Sequence, residues 1–121
     1  MDDLKDYHRG IALFNRGEFF EAHEVLEDVW RAAPAREKKF LQGVVQIAVA
    51  FHHHSTGNHR GMRSVLERAI HNLEQDAGRF GGIDLKQLAE SLNQWREAMD
   101  EHKPLPTLPR IELRTEKDPR S

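Results

Sequence analysis

The chain has 121 residues, 38% hydrophobic and 31% charged, with eight histidines, no cysteine and a formal net charge of −2. A chain of this length builds one core and one domain. The absence of cysteine excludes a disulfide framework, thiolate metal centres and cysteine nucleophiles, and the near-neutral, interspersed charge argues against a strongly basic nucleic-acid binder.

The first helix is expected from Asp3 to Asn15, where Leu4, Tyr7, Ile11 and Phe14 recur at intervals of three and four. Gly17 is a natural stop. A second helix follows from Glu18 to Ala32, with Phe19, Ala22, Leu26, Val29 and Trp30 on a broad face, and Pro34 punctuates the next turn. The third, Arg36 to Thr56, carries apolar residues around most of its circumference and is expected at the centre. Gly57 and Asn58 make a stop and a new cap before the fourth helix, His59 to Ala77. After a glycine-rich turn from Gly78 to Gly82, Asp84 and Gln87 form a capping-box pattern. Leu85, Leu88, Leu92, Trp95 and Met99 then mark the fifth helix.

The spacing predicts an all-α fold: a single compact domain of five antiparallel helices over residues 1–102, with an extended arm over 103–121. Pro104, Pro106, Pro109 and Pro119 forbid a regular helix in the arm. Leu105, Leu108, Ile111 and Leu113 suit its first half to lying along the helices or a partner, whereas Lys117 to Ser121 offer little to pack.

The acidic start, Met1-Asp2-Asp3-Leu4-Lys5-Asp6, is unlike a signal peptide. The apolar run from Val44 to Phe51 is broken by Gln46 and falls far short of the roughly 20 residues that span a bilayer. A cytoplasmic protein without membrane or nucleic-acid partners is expected.

Gly10, Leu13, Gly17, Phe19, Ala22, Leu26 and Pro34 match the spacing of a tetratricopeptide (TPR) helix pair, but the pattern does not recur. The expectation is one TPR-like hairpin and not an array.

The strongest chemical constellation is His23-Glu24-Val25-Leu26-Glu27. On a helix His23 and Glu27 are neighbours, while Glu24 is turned about 100° away. A zincin would need histidine where Glu27 stands. His23 and Glu27 still suit two metal ligands, or an imidazole oriented by a carboxylate. Gln42, Gln46 and His53 form a polar stripe on the otherwise apolar third helix. Facing the second helix, that stripe would complete a polar cluster of His23, Glu27, Gln42, Gln46 and His53, with His23, Glu27 and His53 as the divalent-metal set. The bland alternative is a hydrogen-bond network that only fixes helix register.

His52-His53-His54 is not a metal tract, because successive helical residues diverge by about 100°. His52 and His54 suit the negative end of the helix dipole, and His59 lies within reach of His54 or His53. A ferritin-like centre lacks its Glu-x-x-His pairs. Gly78 to Gly82 lacks the lysine and following hydroxyl residue of a phosphate loop.

The segment from Phe20 to Arg31, with Phe40-Leu41-Gln42-Gly43-Val44-Val45-Gln46, His53, Gly57-Asn58 and Gly61, closely resembles the DUF309 family of small helical proteins. The resemblance covers Tyr7 to Leu73. It implies an all-helical fold but no reaction, because the family is defined as a domain of unknown function. It places His23, Glu24, Glu27, Trp30, Gln42, Gly43, Gln46, His53, Asn58 and Gly61 at signature positions. Of these, His23, Glu24, Glu27, Trp30, Gln42, Gln46, His53 and Asn58 are the candidate ligand-binding residues, while Trp30 and Gly43 also suit packing.

Two functions follow as expectations: a small-ligand or divalent-metal site between helices two and three, or a protein-interaction module whose hairpin and arm bind a partner or a second copy. An enzyme with His23 as base and Glu27 orienting it is a third, without an indicated substrate.

Overall fold

The computed structural model describes residues 3–114. It is all-α, with helices α1 (Asp3–Asn15), α2 (Phe19–Ala32), α3 (Ala35–Ser55), α4 (His59–Leu73) and α5 (Leu85–Asp100), and a 3-10 turn over Gly78–Phe80. Among the described residues the only strand-like pairing is a single antiparallel bridge between Ile83 and Leu113. The expected order and number of helices therefore hold. None is long and apolar enough to cross a membrane.

Central placement of α3 follows from its sequence. Phe40, Leu41, Val44, Ile47, Ala48, Ala50 and Phe51 are all buried, so the helix needs neighbours on several sides. It packs chiefly on α2 and α4, while α1 packs on α2. Phe51 joins the layers: its ring lies 5.9 Å from Phe14 of α1, 6.0 Å from Phe19 of α2 and 5.1 Å from Trp95 of α5. The edge-on contacts with Phe14 and Trp95 add to simple burial.

Gly17 ends α1 at φ 82° and Gly57 follows α3 at φ 80°, a conformation open to glycine without strain. The caps act as their sequences imply. Asn58 accepts a hydrogen bond from the Gly61 N–H at 2.9 Å, and Asp84 accepts one from the Gln87 N–H at 3.1 Å.

The fourth helix stops at Leu73, four residues short of the expected Ala77. Asp76 explains the difference. Its carboxylate accepts the Gly78 N–H at 3.0 Å, an Asx-type turn that competes with helix, and also accepts Arg36 Nε at 2.8 Å.

The proline-rich segment beyond α5 is extended through Arg114 and lies on the helices. Ile111 is 1% exposed, its backbone N–H and C=O are both bound by the Asn15 side chain, and Thr107 C=O accepts the Trp95 indole N–H at 3.0 Å. The expectation about Lys117 to Ser121 lies outside the described residues.

Candidate functional site

Helix α2 presents two adjoining stripes. Taking about 100° per residue, Phe20, Glu24, Glu27 and Arg31 form an outer line, with His23 and Trp30 turned from it toward α3. Phe20 is 53% exposed and Glu24 is exposed, whereas His23 and Glu27 are half-buried. The two half-buried groups satisfy each other: His23 Nε2 and Glu27 Oε2 are 2.9 Å apart. Glu27 Oε1 in turn accepts from Arg31, which also reaches Asp28 at 3.1 Å.

With Glu27 ionised, this chain puts the His23 proton on Nε2 and leaves Nδ1 as the ring's remaining polar atom. Both Glu27 oxygens are engaged, so its role here is to orient the imidazole. Beside His23 lies a cavity of about 150 Å³ lined by Phe20, His23, Val49 and His52. Phe20 bridges the two imidazoles, with ring centres 6.1 Å from His23 and 5.5 Å from His52.

Trp30 closes the other end of the face. Lys38 Nζ sits 5.0 Å from the indole centre and donates to the Trp30 and Arg31 carbonyls at 2.7 and 3.0 Å, capping the last turn of α2. The indole nitrogen is shut from water without a partner.

The other sequence-derived candidates fall elsewhere. Gln46 accepts from Asn72 Nδ2 of α4 at 2.8 Å, and Gln42 and Gln46 line a shallow cavity with Arg68 and Asn72. His53 faces Asn58, 3.3 Å from its side-chain nitrogen. The glutamine stripe thus turns to α4, and it is Val49 and His52 of α3 that meet the His23 side of α2. The five-residue cluster does not assemble as one site. Among the described residues no group of three or more His, Asp or Glu side chains is arranged to hold a metal ion, so His23, Glu27 and His53 do not converge on one.

Sequence reasoning missed Phe20, Arg31 and His52 as parts of this face. The signal was available for two of them, because Phe20, Glu24, Glu27 and Arg31 share one line at helical spacing and place an aromatic ring among charges.

The fold and this face define a small all-helical domain with a polar and aromatic surface on its second helix. Residues 7–65 match the model of DUF309, described as "Domain of unknown function", so that span is similar to the DUF309 family. An uncharacterized protein of Aquifex aeolicus (strain VF5) is 32% identical over 82 residues, covering 67% of this chain and 25% of that protein. Uncharacterized protein YpuF of Bacillus subtilis (strain 168) is 30% identical over 86 residues, covering 69% of this chain and 49% of its own length. The chain thus spans 25% and 49% of the two relatives.

Proposed function

We propose that the domain is a protein-interaction module whose α2–α3 face docks a basic segment carrying an apolar anchor side chain. The observation that carries this reading is the size and setting of the cavity beside His23. At about 150 Å³ it is half the lower end of the roughly 300–1,000 Å³ range of small-molecule sites, and it accommodates one side chain. An exposed phenyl ring at its edge is the kind of residue that anchors interfaces.

Charge selects the partner. The α2 sequence holds four carboxylates against the single cation Arg31; Glu27 and Asp28 already pair with that cation, so the exposed Glu21 and Glu24 beside Phe20 are the ones a partner meets. A basic segment complements that rim, and electrostatic complementarity governs encounter rate and partner choice. The TPR-like spacing of α1 and α2 accords with a hairpin that presents one helix. In this reading residues 1–102 are the helical domain and 103–121 its extended arm, whose described part packs on that domain through Ile111.

A synthetic leucine–lysine amphipathic peptide tests the proposal against a leucine–glutamate peptide of the same pattern. The lysine peptide should bind and weaken about tenfold with Phe20→Ser or Glu24→Lys, a loss typical of an interface anchor. Equal binding of the two peptides, or binding indifferent to both substitutions, overturns it.

A second reading, a small-ligand or divalent-metal site, rests on the His23–Glu27 bond, which is the arrangement that orients metal-bound imidazoles. Here His23 and His52 would be the ligands and Glu27 the orienting carboxylate. Zinc titration followed by histidine-ring NMR separates the two readings. Saturable shifts at His23 and His52 that weaken in Glu27→Gln favour the metal; unmoved rings exclude it.

A further inference from the structure

A second cavity lies on another side of α3. His54 is two residues beyond His52, about 200° around the helix. It meets His59 and Met62 of α4, Met99 of α5, and His102 and Lys103 just beyond α5, around a space of about 390 Å³. This volume lies within the usual range for small-molecule sites. Its lining combines thioether and methyl groups with four basic side chains, and no carboxylate is among the lining residues.

We propose that this cavity binds a small organic anion, a carboxylate on an apolar body, with the histidines and Lys103 holding the carboxylate and Met99 and Leu105 covering the body. The chemistry of each basic group supports the assignment. His54 Nδ1 is shut from water and has no hydrogen-bond partner. An orphaned N–H is harder to tolerate than an unused lone pair, so the proton belongs on Nε2, leaving an N–H donor on that ring. The ring is packed edge-on to Trp95 at 5.0 Å and lies nearly parallel to His59 at 6.0 Å. Burial first, and the His59 charge second, push the His54 pKa below its ordinary value. An anion in the cavity therefore meets His54 as a neutral Nε2–H donor, because a second proton would fall on the buried, unpartnered Nδ1, and it favours the charged form of the neighbouring imidazoles instead.

His102 supplies an independent observation. It is the one non-glycine residue at positive φ among the described residues, at 54°. The Lys103 N–H to Ala98 C=O bond at 2.9 Å closes the end of α5 in the Schellman manner, a position where glycine is the usual residue. Histidine accepts the strain there and places an imidazole on the cavity rim. Strained positions of this kind gather at ligand clamps. Lys103 is partly offset by Glu101 at 2.9 Å and Glu97 at 3.8 Å, and neighbouring Asp100 is held by Arg63. The imidazoles therefore set how positive the cavity becomes, and binding should strengthen as they protonate.

Octanoate is the probe, with octylammonium and 1-octanol as cationic and neutral bodies of the same length. Calorimetry in two buffers of different ionisation enthalpy should show octanoate binding with proton uptake, tightening severalfold from about pH 7.5 to about pH 6. Binding should fall about tenfold in His54→Gln and in His102→Gly, the loss of one charge-assisted hydrogen bond. His102→Gly relieves the backbone strain, so its melting temperature should rise while its affinity falls, which separates binding from folding. Octylammonium or octanol binding as tightly as octanoate, wild-type affinity in both variants, or no saturable octanoate binding overturns the proposal.

Discussion

The Glu37 carboxylate, near the start of α3, accepts the backbone N–H of Arg79 at 2.7 Å and the Arg79 guanidinium at 3.3 Å. The residue is only 5% exposed, so this bond replaces water for a charge that has little other access to it. It fastens the 3-10 turn between α4 and α5 to the central helix. The Arg79 backbone bond holds the carboxyl below its ordinary value, against the opposing effect of burial. A depressed carboxyl stabilises the fold fully above the unfolded value, 4.5, and that contribution disappears as pH falls through the folded value. Glu37→Ala should cost about 1–3 kcal/mol at neutral pH. Urea unfolding at about pH 7 and about pH 3 should show a larger acid loss for wild type than for Glu37→Gln.

Gly78 occupies the same junction at φ 53°, and a Cβ there would lie 2.7 Å from Glu37 Cγ. Gly78→Ala therefore meets two obstacles, backbone strain of about 1–2 kcal/mol and overlap with a packed carboxylate. Removing the carboxylate removes the second. In a double-mutant cycle measured by urea denaturation, Gly78→Ala should be less damaging in the Glu37→Ala background, leaving mainly the backbone component. Additive losses would place the strain elsewhere.

Tyr7 offers a spectroscopic readout because it is the single tyrosine in the chain. Its hydroxyl donates to the Phe80 C=O at 2.8 Å, and its ring meets Phe80 edge-on at 5.0 Å. Burial raises the pKa well above the ordinary 10.0. The neutral phenol thus stabilises the fold below the unfolded value, and that contribution is lost as pH rises above it. Absorbance at the phenolate band should remain silent until the helical circular dichroism collapses, with both changes sharing one midpoint. Tyr7→Phe should cost about 1–3 kcal/mol by leaving the Phe80 carbonyl unpaired while keeping the ring packing.

These junctions explain which parts of the molecule were legible in the sequence. The helices were, because stripes such as Leu4, Tyr7, Ile11 and Phe14 are local and repeat at the helical period. Capping by Asn58 and Asp84 is local too. The end of α4 was not, since Asp76 meets Arg36 from 40 positions away. The α2 half of the candidate site emerged from the spacing of His23 and Glu27. Its α3 half depended on how a helix apolar on nearly every side is rotated, and Gln42, Gln46 and His53 turned to α4 while His52 took the place opposite Phe20. Neither Glu37 nor the His54 cavity carries a sequence motif. Both arise where segments distant in the chain meet.

The C-terminal arm gives the remaining prediction. Asn15 Oδ1 accepts the Ile111 N–H at 2.8 Å and Asn15 Nδ2 donates to the Ile111 C=O at 3.0 Å, so one side chain pairs with the arm as a neighbouring strand would. Ile111 itself is buried in the core cluster, and Asp84 N–H to Glu112 C=O at 2.8 Å continues the attachment. Two forces thus act at one place, and they are separable. Ile111→Ala removes core volume and should cost about 2–5 kcal/mol in global unfolding. Asn15→Ala removes only the paired hydrogen bonds at the partly buried end of α1. It should speed amide hydrogen exchange at Ile111 and Arg114, whose N–H groups bond Asn15 and Gly82, while leaving the exchange of α3 core amides near the wild-type rate. Protection at Ile111 that survives Asn15→Ala would assign the arm's order to apolar burial alone.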